Sequence, residues 1–255
     1  MKELPVAERL IVALDYPPMP TIVPRQLGRV GTRAKVLQVA RSLVGTGVIL
    51  KVNSILRAVG YDLIDDLHTL GFKVFADLKI FDVDKTTGYD GKFLGESRPE
   101  LLTVSCVAGL KALRAIKAEL PHTEVLGVAA LTTLTNEDTE SMFECSTLDT
   151  VLRLAKIVRN APLDGMISGA TEVPELTKEG FGIMLSFNTP AIRPLWSLAP
   201  GSQNPERVMT PTKAIMAGAD RIVVGDPVTC ANDPVEAAGL LTQEISAALA
   251  ARNIN

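Results

Sequence analysis

At 255 residues, with 47% hydrophobic and 22% charged content, the chain is long enough to bury one substantial core and short for two ordinary domains. A formal net charge of −3 and an isoelectric point near 5.5 exclude a field that would hold nucleic acid without specific contacts, so any ligand phosphate has to be gripped locally. The short apolar run Leu10–Leu14 lacks a signal peptide's length and cleavage site, and no other run reaches the roughly 18 to 20 residues of a membrane helix. Cys106, Cys145 and Cys230 are odd in number, far apart and without Cys-x-x-Cys spacing, which favours a reducing compartment. The expectation is a soluble, cytoplasmic protein with no membrane or nucleic-acid partner.

Taken in chain order, short runs rich in Val, Ile and Leu alternate with helical patterns. The strand candidates are LIVAL (10–14), VILKV (48–52), KVFADL (73–78), LLTVSC (101–106), EVLGVAAL (124–131), DGMIS (164–168), GIMLSF (182–187) and RIVVG (221–225). Their lack of strict apolar/polar alternation suits strands covered on both faces. After the first strand comes a long Pro-rich stretch, YPPMPTIVPRQLGRVG, which is expected to be a loop and a candidate lid.

The helix GLKALRAIKAEL places Leu110, Leu113, Ile116 and Leu120 on one face before Pro121 ends it, and TLDTVLRLAKIVRNA does the same with Val151, Leu154, Ala155 and Val158. Thr147 or Asp149 is expected to cap the latter. The segment LWSLAPGSQNPER is a second Gly/Pro-rich lid candidate. Thr210 and Pro211 then open a short helix that stops at Gly218, and Asp233 and Pro234 open the last one. An open, doubly wound sheet would give the same alternation; eight units over this length favour closure into one α/β domain, a (β/α)8 TIM barrel spanning residues 1–255.

The ends of the predicted strands carry the charge. The first ends in Asp15, the second holds Lys51, and the third runs into Asp77, Lys79 and Asp82, all at the rim where barrel enzymes keep their active sites. Strand alternation sends Asp77 and Lys79 into the barrel mouth and Leu78 toward the helices. Carboxylates and ammonium groups packed together favour each other's charged form, so a partly desolvated array can stay ionised. Such an array is preorganised electrostatics: an Asp beside a substrate carboxylate disfavours the ground state, and an adjacent Lys can stabilise a developing carbanion and protonate it.

A set of surface salt bridges would show the same short spacing; Asp15 and Lys51 at matching strand ends argue against it. His68 and His122 fall in helix and loop positions and are expected at the surface. With no His or Cys cluster a zinc site is not expected, while a magnesium site on Asp77 and Asp82 would have to contend with two lysines.

The stretch FADLKIFDVDKT resembles the signature of the orotidine 5′-monophosphate decarboxylase family, with Asp77, Lys79 and Asp82 in the signature places and Thr86 closing it. VALDY (12–16), LKV (50–52), ALTTLT (130–135), TPAIRP (189–194), RVMTPTKAIMAGAD (207–220) and VVGDPVT (223–229) extend the similarity over most of the chain. The resemblance implies a dimeric enzyme that uses neither cofactor nor metal and converts orotidine 5′-monophosphate to UMP and carbon dioxide. It implies Lys79 as proton donor, Asp77 facing the departing group, and Lys51 and Asp15 on the ribose and the array. Asp82 and Thr86 would reach across the dimer interface. Thr132, Pro190, Arg193, Gln203 and Gly225 match ligand-loop and phosphate positions.

Departures accompany the match. The family's phosphate-pairing Arg is here Asp226, a carboxylate that would repel a dianion. Arg207 or Arg221 is a candidate substitute. The spacing to Gln203 is two residues longer than usual, Asp84-Lys85 replaces Pro-Asn, and Ser105 stands where a His is common. Two alternatives follow. One is a magnesium-dependent sugar-phosphate decarboxylase or aldolase of the same superfamily, against which Lys51 argues, because those relatives place an acidic metal ligand there. The other is a noncatalytic paralogue binding another nucleotide or a protein, which Asp226 supports and the retained array opposes.

Overall fold

The computed structural model describes residues 3–18, 27–198 and 208–252. Strands β1 (Leu10–Ala13), β2 (Ile49–Val52), β3 (Lys73–Ile80), β4 (Leu101–Ser105), β5 (Glu124–Val128), β6 (Gly165–Ile167), β7 (Ser186–Thr189) and β8 (Arg221–Val224) pair in parallel, and β8 returns to β1. The sheet is therefore the closed (β/α)8 barrel the element pattern predicts. Between strands lie α1 (Leu27–Ser42), α2 (Ser54–Val59), α3 (Asp62–Thr69), α4 (Asp84–Ser97), α5 (Gly109–Glu119), α6 (Asn136–Phe143), α7 (Thr147–Asn160), α8 (Val173–Lys178) and α9 (Pro211–Ala217). The chain continues through α10 (Asp226–Thr229) and α11 (Pro234–Arg252). Among the described residues no helix is long and apolar enough to cross a membrane.

Strand alternation divides the core in two. Ile11, Ala13, Ile49, Phe75, Leu101, Leu126 and Val223 meet inside the barrel. Their neighbours Leu10, Val12, Leu50, Val74, Ala76 and Leu102 face the helices in the larger outer cluster. Burial on both faces is why these runs do not alternate in hydropathy, and each fully buried Leu, Ile or Phe contributes roughly 1.5–3 kcal/mol. The inward position two residues beyond the inner apolar layer becomes the floor of the barrel mouth. Asp15 follows Ala13 in this way, Lys51 follows Ile49, Asp77 follows Phe75, Thr103 follows Leu101, and Gly225 follows Val223.

The helices are set by local chemistry. Thr210 accepts from the Lys213 N–H, Pro211 occupies the first turn of α9, and Gly218 ends it at φ 111°. α4 runs so close to α5 that a Cβ on Gly91 would lie 3.0 Å from Glu119 Cβ and 3.3 Å from Ile116.

Several expectations are corrected. α7 is capped by Ser146, which accepts from the Asp149 N–H, rather than by Thr147 or Asp149. The seventh strand is SFNT, not GIMLSF: Phe181–Ile183 forms a 3-10 turn that leaves Ile183 and Met184 exposed, and only from Ser186 can side chains alternate into the barrel. β5 stops at Val128, before the AAL that follows it. Of the Pro-rich first loop, residues from Leu27 on belong to α1, and 19–26 lie outside the described residues. In the second lid candidate Leu195–Ser197 is a 3-10 turn, and 199–207 lie outside them as well. His68 is only partly exposed, because its Nε2 sits 3.1 Å from Glu100 Oε2.

Candidate active site

Three neighbouring strands supply one line of alternating charge. Lys51 Nζ on β2 lies 2.6 Å from Asp15 Oδ2, beyond β1, and 3.1 Å from Asp77 Oδ2 on β3. Lys79 Nζ then meets the other Asp77 oxygen at 2.7 Å. Burial is graded along the line: the side chains of Lys51 and Asp77 are 7% and 11% exposed, those of Lys79 and Asp15 33% and 47%. The inner pair is desolvated, so its geometry matters most energetically; the outer members are open to a ligand.

Asp77 reports that balance. Burial by itself pushes its carboxyl up, but Lys51, Lys79 and hydrogen bonds from Lys79 and Thr103 outweigh burial and hold it below the ordinary carboxylate range. Asp77 therefore stands as a fixed anion on the floor of the mouth. Lys79 reaches it from an unusual backbone, with φ at 49°, and its N–H donates to Thr103 Oγ1 at 2.9 Å. Thr103 was not among the residues expected from sequence, although a hydroxyl at an inward position of the run LLTVSC, two residues past Leu101, was the available signal.

Above the floor opens a cavity of about 750 Å³, whose walls include the expected Thr132, Pro190, Arg193, Gly225 and Asp226. Asn53, just past β2, also lines it and was not anticipated. The Pro190–Arg193 turn is held by the Arg193 N–H, which donates to the Met209 carbonyl at 2.9 Å, and Ala191 takes φ 61°. Strained backbone at Lys79 and Ala191 thus borders the same cavity, a placement common where geometry serves a site. Arg193 Nη2 lies 3.9 Å from Asp226 Oδ2, with side chains 39% and 77% exposed, a loose pair.

Arg221 does not serve as the substitute phosphate ligand. It opens β8 at the opposite end of the barrel, buried and forked onto Glu124 at 3.0 and 3.0 Å. Gln203 and Arg207 lie outside the described residues.

Asp82 does not join the other four charges in this chain's cavity. It follows the end of β3, on the turn into α4, where it is exposed and its Oδ1 accepts the Val83 N–H at 2.7 Å. Thr86, one turn into α4, is half-buried and also away from the cavity lining. A magnesium site on Asp77 and Asp82 is thereby corrected: the two carboxylates are apart, and both Asp77 oxygens are bonded to ammonium groups. Among the described residues no three His, Cys, Asp or Glu side chains are grouped as a metal would require.

Comparison with known proteins places this geometry. The model of the orotidine 5'-phosphate decarboxylase / HUMPS family matches residues 8–240. The chain belongs to that family. Orotidine 5'-phosphate decarboxylase of Pseudomonas putida (strain GB-1) is 31% identical over 243 residues, covering 92% of this chain and 96% of the relative. That of Pseudomonas aeruginosa (strain LESB58) is 30% identical, covering 92% and 97%. The crystal structure of orotidine 5'-phosphate decarboxylase from Lactobacillus acidophilus superposes with a TM-score of 0.73 at 28% identity, covering 93% of this chain and 99% of that one. The family's barrel is therefore this chain's barrel along nearly its whole length.

Proposed function

We infer that this chain is a carboxy-lyase of pyrimidine biosynthesis that converts orotidine 5′-monophosphate to UMP and carbon dioxide, and we propose that the Asp15–Lys51–Asp77–Lys79 line carries the chemistry. The observation behind the second statement is the ionised, desolvated Asp77 bracketed by two lysines on the cavity floor. A substrate carboxylate set against Asp77 is destabilised in the ground state and relieved as carbon dioxide leaves. The bond from ring carbon 6 to the carboxyl carbon breaks, and its electron pair stays on carbon 6. Lys79 Nζ, held by Asp77, stabilises that carbanion and transfers a proton to it. The proton transfer itself is carried by Lys79 and Asp77. Lys51 and Asp15 sit where they can bind the ribose hydroxyls, and Thr132, Pro190, Arg193 and the Gly225 amide face the remainder of the nucleotide.

The working unit in this reading is a homodimer in which Asp82 and Thr86 complete the partner's site. Asp82 is exposed beyond its own cavity, its neighbours Phe81 and Val83 are each 65% exposed, and Phe93 farther along α4 is 61% exposed. An apolar patch of this kind rimmed by charge is what an interface between copies covers.

Complementation tests both parts at once. Lys79→Ala and Asp82→Ala chains are each expected to release no carbon dioxide from the substrate. Co-refolded in equal amounts they are expected to regain about a quarter of wild-type turnover, because half the dimers are mixed and each mixed dimer has one intact site. Full activity of Lys79→Ala alone would remove the array from the chemistry. Two inactive variants that never complement would remove the shared site.

A further inference from the structure

β3 makes a detour as it enters the mouth. It pairs with β4 at Phe75–Leu101 and Ala76–Leu102, and the next pair is Ile80–Val104. Asp77, Leu78 and Lys79 are thus set against the single residue Thr103, as in a bulge that re-aims side chains beside a site. The extra length is absorbed at Lys79, whose φ of 49° is a conformation that side chains with a Cβ rarely adopt. Left-handed backbone persists only where its surroundings hold it.

The peptide that joins Leu78 to Lys79 is held on both sides: Arg57 Nη2 donates to its carbonyl, and a hydroxyl of β4 takes its N–H. Thr103 is fully buried. Its Oγ1 accepts the Lys79 N–H at 2.9 Å and lies 2.9 Å from Asp77 Oδ1. Asp77, as an ionised carboxylate, can only accept, so the single hydroxyl proton points at it. Thr103 therefore ties the backbone of the lysine to the carboxylate that lysine grips, while Arg57 holds the other side of the same peptide. Packing does not require the hydroxyl: Leu101, the previous inward residue of β4, is apolar, and Val would fill the same space.

We propose that Thr103 is a positioning residue for the decarboxylation, a hydrogen-bonded pivot that sets the Lys79 ammonium and the Asp77 carboxylate at their working angles. The proposal rests on the array reading above. The groups facing Asp77 are Lys51 from β2, Lys79 from its own strand and Thr103 from β4, with Asp15 acting on it through Lys51. Loss of the hydroxyl removes one of the bonds that hold the Asp77 carboxyl down, so its titration moves toward higher pH.

The test compares Thr103→Val and Thr103→Ser with the wild type and with Lys79→Ala, in kcat, KM and the pH profile of kcat. Thr103→Val is expected to lower kcat by about 10- to 100-fold, the loss of a hydrogen bond to a charged group, with KM nearly unchanged because the defect lies in the transition state. Its acid limb should move to higher pH, and Thr103→Ser should restore both features. Wild-type kcat and acid limb in Thr103→Val would overturn the proposal, as would a Ser variant no better than Val, which would make the role one of shape. If Val does not fold, Thr103→Cys, similar in size and a poor partner for both groups, is judged by the same outcomes. Lys79→Ala separates the two readings: its survival sinks the array, whereas its inactivity beside a wild-type Thr103→Val sinks only the pivot.

Discussion

Both ends of this barrel bury opposite charges, and they use them differently. At the N-terminal end the Arg221 guanidinium is forked onto Glu124 at 3.0 and 3.0 Å and reaches Asn188 at 3.3 Å, and Arg9 donates to the Asp220 carbonyl at 3.0 Å. There the fork of one cation is occupied by one carboxylate, beneath the apolar inner layer. At the C-terminal end the charges form an open line whose terminal members, Asp15 and Lys79, remain partly solvated in front of the cavity. Burial of charge does not by itself mark a site. The distinguishing feature is an alternating line of two carboxylates and two lysines whose outer members stay partly solvated on the floor of a cavity of about 750 Å³.

If this contrast is right, equivalent damage at the two ends has opposite readouts. Asp77→Asn at the mouth is expected to cut kcat by about 10²- to 10³-fold, the cost of deleting a preorganised charge, while leaving a cooperative fold by circular dichroism. It should also change acid stability in a defined direction. Asp77 titrates below its ordinary value in the fold, so its stabilising contribution is present above the unfolded value of about 3.9 and is lost as pH falls through the lower folded value. Thermal melts of Asp77→Asn should lack that portion of the acid decline. An Asn variant with wild-type turnover would erase the distinction between the ends.

At the other end Arg221→Met leaves Glu124 without its partner. The side chains of Arg221 and Glu124 are 3% and 23% exposed, so breaking the pair is expected to cost about 3 kcal/mol and to lower Tm by roughly 6 to 12 °C. Turnover per folded molecule should be retained. A large fall in kcat without a fall in Tm would show that the bottom cluster communicates with the mouth and is more than a structural clamp.

The contrast also explains what could be read from the sequence. The eight strands and their closure were visible because burial on two faces writes apolar runs between helical periods, and Asp15, Lys51, Asp77 and Lys79 were visible because each is a charge at or near the C-terminal end of such a run. The seventh strand was misplaced because GIM is as apolar as a strand but is spent on a 3-10 turn, while SFNT carries the polar Ser186 and Asn188 that line the lower barrel. Thr103 escaped notice because its importance depends on a shift in pairing between β3 and β4, and pairing is a relation between segments that neither segment records alone. Arg221 was offered as a phosphate substitute on its charge, although the run RIVVG begins with it and so already set it at the end away from the mouth.

The smallest predicted effect concerns the wall of the mouth. Asp226 and Arg193 face each other loosely at 3.9 Å, and both line the cavity near the Gly225 amide. A phosphate dianion bound there would be opposed by Asp226, which would also compete with it for Arg193, the one described arginine on the cavity lining. Asp226→Arg exchanges a repulsion for a charge-assisted, potentially bidentate contact. Such a contact is worth about 1.5–3 kcal/mol, so KM for the phosphorylated substrate is expected to fall by about 10- to 100-fold. Because both side chains are substantially exposed, the gain should shrink as ionic strength rises from about 0.05 to 0.5 M and the Debye length contracts. Truncating the cation instead, by Arg193→Ala, should raise KM. An unchanged or raised KM in Asp226→Arg would mean that the phosphate lies away from α10, held by other groups, and that the mouth's charge pattern is complete without it.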